Sequence, residues 1–253
     1  MRTVAALAAV CCLAACGTTP RDEAPVLERN VPLVVTLGDS VPAGTACDCD
    51  PFPDVYARGQ DAVSENLAAP GFTSSDVRSQ VDGIRTALAA ADEVLLMIGA
   101  NDLATAFDDE SSFAGAAAQM QSNVTETIDT IETIHRTNVI VLGYWNVVQD
   151  GKVGAEDYGP AGVRAAASAT TYANDALMNA AQKTGATYVS TDVAFHGADG
   201  SQDPTGLLAR DGDHPNAAGH AAIAALIPSL TVPYAGARAK LTPPASPTRS
   251  GPG

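Results

Sequence analysis

The chain has 253 residues, 46% of them hydrophobic, and a formal charge of −15 at pH 7. That length suits one domain with a substantial apolar core. The shortage of Lys and Arg argues against nucleic-acid binding, which needs a basic face to neutralise phosphates. No apolar run reaches the roughly 18 residues of a membrane span, so no internal transmembrane helix is expected.

The chain opens with Met1-Arg2, an apolar stretch from Val4 to Val10, and then Leu13-Ala14-Ala15-Cys16. A short basic start, a brief apolar region and small residues before a cleavage point read as a secretory signal over residues 1–15. Leu13-Ala14-Ala15-Cys16 also resembles the bacterial lipobox. That resemblance implies a lipid thioether on Cys16 and attachment of the exported protein to a membrane of the bacterial cell envelope, the alternative being an ordinary cleaved signal. Residues 16–30 mix Thr, Pro and charges without periodicity and read as a tether. The folded body is expected over residues 31–237, and the Pro-, Ser- and Gly-rich residues 238–253 read as a disordered tail.

Within the body, short β-branched runs alternate with longer Ala-rich stretches, the pattern of an α/β domain whose parallel sheet is covered by helices on both faces. Strands are predicted at Leu33–Leu37, Ala62–Asn66, Glu93–Ile98, Asn138–Tyr144 and Ala186–Ser190. Helices are predicted at Ser75–Ala90, Ser112–Arg136, Ala161–Thr184 and Asn216–Ser229. Ligands of open α/β sheets gather beyond the carboxyl ends of the strands, so the residues that follow each strand are the candidates.

After the first strand comes Gly38-Asp39-Ser40, a turn that would present a hydroxyl, although Asp and Ser also cap helices and satisfy turns. After the second comes Pro70-Gly71, where a backbone N–H can approach a ligand. The third is followed by Gly99-Ala100-Asn101-Asp102, whose Asn can aim a side-chain donor into the site or make a local turn. Near the end stands Asp211-Gly212-Asp213-His214-Pro215. A carboxylate three residues before a His can fix the imidazole tautomer through Nδ1–H and leave Nε2 to accept a proton.

Taken in order, these four blocks resemble those of the SGNH (GDSL-like) hydrolase family, and the resemblance spans Val31 to Ser229. It implies a three-layer α/β/α sandwich with a flavodoxin-like parallel sheet of about five strands. It also implies a serine esterase in which Ser40 is nucleophile, His214 base and then acid, and Asp211 the group that orients His214. The oxyanion hole would be the backbone N–H groups of Ser40 and Gly71 with the Asn101 side chain. No cofactor or metal is implied. The first block carries Val41 where many members have Leu, an apolar exchange beside the nucleophile.

Cys11 and Cys12 fall in the leader, so Cys47 and Cys49 are the remaining thiols of the body. They lack the ligand count of a structural zinc site and form either a disulfide or two free thiols. The acidic residues Asp48, Asp50 and Asp54 read as a solvated face. His135, His196 and His220 read as structural, and Asn123-Val124-Thr125 matches a glycosylation acceptor by spacing alone. With one Trp and no long apolar lid, short acyl esters are favoured. A carbohydrate O-deacetylase or acyltransferase, and a non-catalytic binding lipoprotein, stand as alternatives. The expected partners are a small acyl ester or acylated sugar and the anchoring membrane, with the protein a monomer. Segments 146–159 and 195–209 are expected to shape the pocket.

Overall fold

The computed structural model describes residues 31–231. Cys16, the leader, the tether, residues 232–237 of the expected body and the tail at 238–253 lie outside these residues. Five strands, β1 (Leu33–Gly38), β2 (Val63–Asn66), β3 (Glu93–Met97), β4 (Asn138–Leu142) and β5 (Thr187–Val189), form one sheet in the order β2-β1-β3-β4-β5. Every pairing is parallel. The central strands read as unbroken apolar runs because both faces are covered, and Val34, Val35, Leu37, Leu95, Leu96 and Val141 are fully buried. Each such side chain contributes about 1.5–3 kcal/mol relative to exposure.

The helices are α1 (Phe52–Gly59), α2 (Ser74–Gln80), α3 (Arg85–Ala90), α4 (Ala100–Ala104), α5 (Phe113–Ile134), α6 (Gly151–Thr184), α7 (Asp192–His196) and α8 (Ala217–Leu226). The crossover from β1 to β2 runs one way along the sheet and those to β3, β4 and β5 run the other. Right-handed connection therefore sends α1 to one face and α2, α3, α5 and α6 to the opposite one. The helix contacts agree, since α1 packs on α8 while α5 packs on α2 and α6. The architecture is the expected three-layer α/β/α sandwich.

Several elements depart from the expectation. The predicted helix Ser75–Ala90 is two short helices joined by a 3-10 turn at Val81–Ile84 around Gly83. Residues 151–158, read as loop, are helical: α6 is interrupted by a break at Gly159 (φ 60°, ψ −178°), and Pro160 starts its second part. A Pro tolerated in a first helical turn explains why the segment resumes as helix directly after the break. Helices α1, α4 and α7 were not predicted. No described helix is long and apolar enough to cross a membrane.

Cys47 and Cys49 are joined as a disulfide with Cα atoms 5.1 Å apart. A His220 ring nitrogen lies within 4.8 Å of both sulfurs, but these are bonded to each other, and His220 Nδ1 accepts the Phe52 N–H at 3.1 Å. Asn123 is buried in α5 and donates to Ser74 Oγ, so the acceptor-like triplet is closed to glycosylation. Asp50 is exposed and pairs with Arg58, as a solvated acidic face would.

Candidate active site

Strand β1 ends at Gly38, whose register partner is Met97. Its φ is 154°, and a Cβ there would stand 2.1 Å from the Met97 carbonyl oxygen, so only glycine lets the chain leave the sheet at this point. The next residue, Asp39, is fully buried and donates its N–H to that same carbonyl. Its carboxylate accepts the Val41 N–H at 3.1 Å and the Tyr144 hydroxyl at 2.5 Å. Burial raises the Asp39 carboxyl to a pKa of about 6, against the lowering effect of these two bonds. The turn that presents Ser40 is thus fixed from both sides.

The cleft beyond the strand ends has a volume of about 410 Å³, and Ser40, Asn101, Asp211 and His214 all line it. His214 Nδ1 lies 2.8 Å from Asp211 Oδ2, while Asp211 Oδ1 accepts the backbone N–H groups of Asp213 and His214. Burial would raise the Asp211 carboxyl, but the bonds from His214 and Asp213 outweigh it and hold the group below its ordinary value. A permanent carboxylate at Nδ1 selects the Nδ1–H tautomer and leaves Nε2 as the basic nitrogen. Asp213 also lines the cleft, yet its nearer carboxylate oxygen is 3.9 Å from Nδ1, so Asp211 is the carboxylate within hydrogen-bond distance of the ring. Gln149 donates to the Asp211 carbonyl at 3.1 Å and steadies the loop from the other wall.

Asn101 sits in the first turn of α4 and gives one Nδ2 hydrogen to the Phe72 carbonyl at 2.8 Å. Its second hydrogen is uncommitted among the described residues. The neighbouring Asp102 accepts both the N–H and the hydroxyl of Ser74, at 2.9 and 2.6 Å, and so binds the Gly71–Ser74 turn to α4. Gly71 is exposed in that turn at φ 83°, with nothing within 4 Å of a Cβ position. It is not among the residues lining the cleft, but it directly precedes the carbonyl that anchors Asn101. Neither Ser40 N–H nor Gly71 N–H has a protein acceptor among the described residues. The Ser40 hydroxyl and His214 likewise face one cleft without a direct hydrogen bond between them.

Three features of the site were not read from the sequence. Tyr144, just beyond β4, was taken as the end of a strand, although its hydroxyl reaches across to Asp39. Phe107 and Tyr158 form a ring pair 5.2 Å apart on the cleft wall. Asp102 and Ser74 make the clamp described above. None of these contacts is local in sequence, and only the alternation of strands and helices could have hinted at them.

Residues 36–222 match the model of the GDSL-like lipase/acylhydrolase family. No curated protein sequence matches the chain. Solved structures share its fold. The lipase Lip_vut3 from a goat rumen metagenome superimposes with a TM-score of 0.64 at 19% identity, over 77% of this chain and 95% of that one. An extracellular lipase from Streptomyces rimosus does so with a TM-score of 0.56 at 18% identity, over 78% and 100%. Axe2, an acetylxylan esterase from Geobacillus stearothermophilus, gives 0.57 at 17% identity, over 77% and 91%.

Proposed function

The chain belongs to the GDSL-like lipase/acylhydrolase family of ester hydrolases, and from that premise we propose that it cleaves short-chain carboxylic esters through Ser40, His214 and Asp211. The observation that carries this reading is His214, held through Nδ1 by Asp211 and facing the cleft that Ser40 also lines. A serine hydroxyl attacks an ester at neutral pH only if a base takes its proton during the attack. His214 Nε2 takes that proton as Ser40 Oγ bonds to the carbonyl carbon, and the charge passes to the carbonyl oxygen. The imidazolium then gives the proton to the departing alkoxide, leaving an acyl group on Ser40. Water, deprotonated by the same nitrogen, releases the acid and restores the serine.

The negative oxygen formed in each half-reaction needs donors that the resting fold leaves free. The N–H groups of Ser40 and Gly71 and the second Asn101 Nδ2 hydrogen are such donors. Ala100, Ala104, Val147 and Val148 make a small-residue, apolar part of the cleft, which favours short acyl groups. We read the leader and the lipobox-like Leu13-Ala14-Ala15-Cys16 as signals for export and for a lipid anchor on Cys16, which would hold this activity outside the membrane. Palmitate incorporation lost in Cys16→Ala would support the anchor, and an unlabelled wild type would refute it.

The test of the reaction is hydrolysis of p-nitrophenyl acetate and butyrate by the full chain beside its Ser40→Ala variant. Turnover that vanishes in the variant is the expected result. Equal rates in both proteins would overturn the assignment.

A further inference from the structure

A second cavity, of about 580 Å³, opens beyond the ends of β4 and β5 between α6 and α7. It shares Asn146 with the catalytic cleft, so the two cavities meet at one residue. Asn146 is held in place there: its Oδ1 accepts the Thr170 hydroxyl at 2.9 Å and the Val147 N–H at 3.0 Å, which leaves its Nδ2 hydrogens for the space around it.

The lining of this cavity selects among ligands. It carries three carboxylates, Asp150, Asp175 and Asp192, together with the hydroxyls of Tyr188 and Ser190. Its one cationic group is His196, whose Nε2 and Nδ1 both donate, at 2.9 Å to Asp150 and 2.7 Å to Asp192. The positive charge is therefore already matched, and the cavity as a whole is acidic. An anionic headgroup would meet uncompensated repulsion, and although Val163, Ala167 and Met178 also line the cavity, an acyl chain would strip water from the carboxylates without replacing it. A neutral polyol meets the opposite situation, because its hydroxyls donate to the carboxylates and accept from Asn146. Trp145 lies beneath the lining, 2% exposed with its ring stacked on Phe195 at 4.0 Å, and the Trp145 Nε1 has no partner among the described residues. The apolar side chains of Val163, Ala167 and Met178 beside carboxylate and amide groups suit the two-sided surface of a sugar ring.

We propose that this cavity is a binding subsite for the neutral sugar portion of an acylated carbohydrate, lying past Asn146 from the ester bond. The proposal rests on the ester hydrolase reading of the adjoining cleft and adds to it the class of alcohol. The acyl group occupies the small apolar part of the cleft near Ala100 and Val147, and the saccharide extends toward Asp175 and Ser190.

The test compares Ser190→Trp, which fills the cavity, and Asp175→Ala, which removes an exposed acceptor, with the unaltered chain. Substrates are cellobiose monoacetate, p-nitrophenyl acetate and p-nitrophenyl octanoate. Ser190→Trp should raise KM for the sugar ester about tenfold, the equivalent of roughly 1.4 kcal/mol of binding, with a smaller rise in Asp175→Ala. Turnover of p-nitrophenyl acetate should hold in both, which also shows that they fold. The same comparison on a Ser40→Ala background, with binding of cellobiose monoacetate followed by calorimetry, gives a readout independent of catalysis. Binding weakened by Ser190→Trp, together with no turnover of any ester by the chain that retains Ser40, would uphold the subsite and refute the hydrolase reading. KM and Kd for the sugar ester unmoved by both variants would overturn the subsite. So would an equal rise in KM for p-nitrophenyl octanoate in Ser190→Trp, since the cavity would then be an acyl-chain site.

Discussion

Replacing Tyr144 by Phe removes the hydroxyl group and leaves the ring, so it isolates the bond to Asp39. In the folded chain the Asp39 carboxyl titrates near pH 6, raised by burial from 3.8. A group whose pKa is higher in the folded state stabilises the fold fully below its unfolded pKa and loses that contribution as pH rises through the folded one. At about pH 7.5 Asp39 is charged, and the hydroxyl is one of its two donors. Losing a hydrogen bond to a charged group costs roughly 1.5–3 kcal/mol, whereas at about pH 4.5 the carboxyl is neutral and the same loss costs roughly 0.5–1.5 kcal/mol. The difference, about 1.4 kcal/mol, corresponds to raising the Asp39 pKa by about one further unit. With a urea dependence of about 2.5 kcal/mol per molar, Tyr144→Phe should lower the unfolding midpoint by about 1.0 M at the higher pH and about 0.4 M at the lower. Equal midpoint shifts at both pH values would refute a charged, Tyr144-stabilised Asp39.

Other perturbations separate the remaining parts of the site. Asn101→Ala should reduce kcat by ~10²–10³ while leaving KM for p-nitrophenyl acetate nearly unchanged, and an unaltered kcat would remove Asn101 from the oxyanion site. Gly38→Ala places a Cβ against the Met97 carbonyl oxygen, so chemical denaturation should show a loss of about 2–4 kcal/mol from overpacking and backbone strain together. His196 is raised to about 9 from 6.5, chiefly by its bond to Asp150 and against the opposing effect of burial. Its contribution is complete below pH 6.5 and vanishes as pH climbs through about 9. His196→Gln should therefore be less stable than the unaltered chain near neutrality and converge with it in thermal melts at higher pH, and parallel curves would contradict the ion pairing.

The sheet was legible because a doubly covered parallel strand leaves a compositional trace: Leu33–Leu37 and Val94–Ile98 admit little polar content, and they are buried on both faces. Even the edge strand β2, with its polar pattern of Val63-Ser64-Glu65-Asn66, lay within a residue of its expected position. Placing each motif block after a strand followed directly. The local pairing of Asp211 with His214 was legible too, since three residues in a tight turn determine it. What escaped was short or long-range. Helix α1 starts at Phe52-Pro53 behind an acidic, Cys-bearing loop, and its eight residues are set by packing on α8 more than by propensity. Gly159-Pro160 was read as the end of loop because those residues usually interrupt helices, whereas here they divide one. His220 gave no sequence sign of its role, accepting the Phe52 N–H from a residue 168 positions away, where burial lowers its pKa to about 4. The link from Tyr144 to Asp39 spans 105 positions and depends wholly on the sheet order that brings β1 and β4 to either side of β3.

The central claim is that Ser40 is a nucleophile activated by His214, and covalent trapping tests it most directly. The full chain is incubated with a fluorophosphonate ester, digested and mapped by mass spectrometry. The account predicts one phosphonyl adduct on the peptide carrying Ser40, absent in Ser40→Ala and strongly slowed in His214→Ala. An adduct at another residue, or an unlabelled Ser40 in a preparation that still hydrolyses p-nitrophenyl acetate, would contradict it.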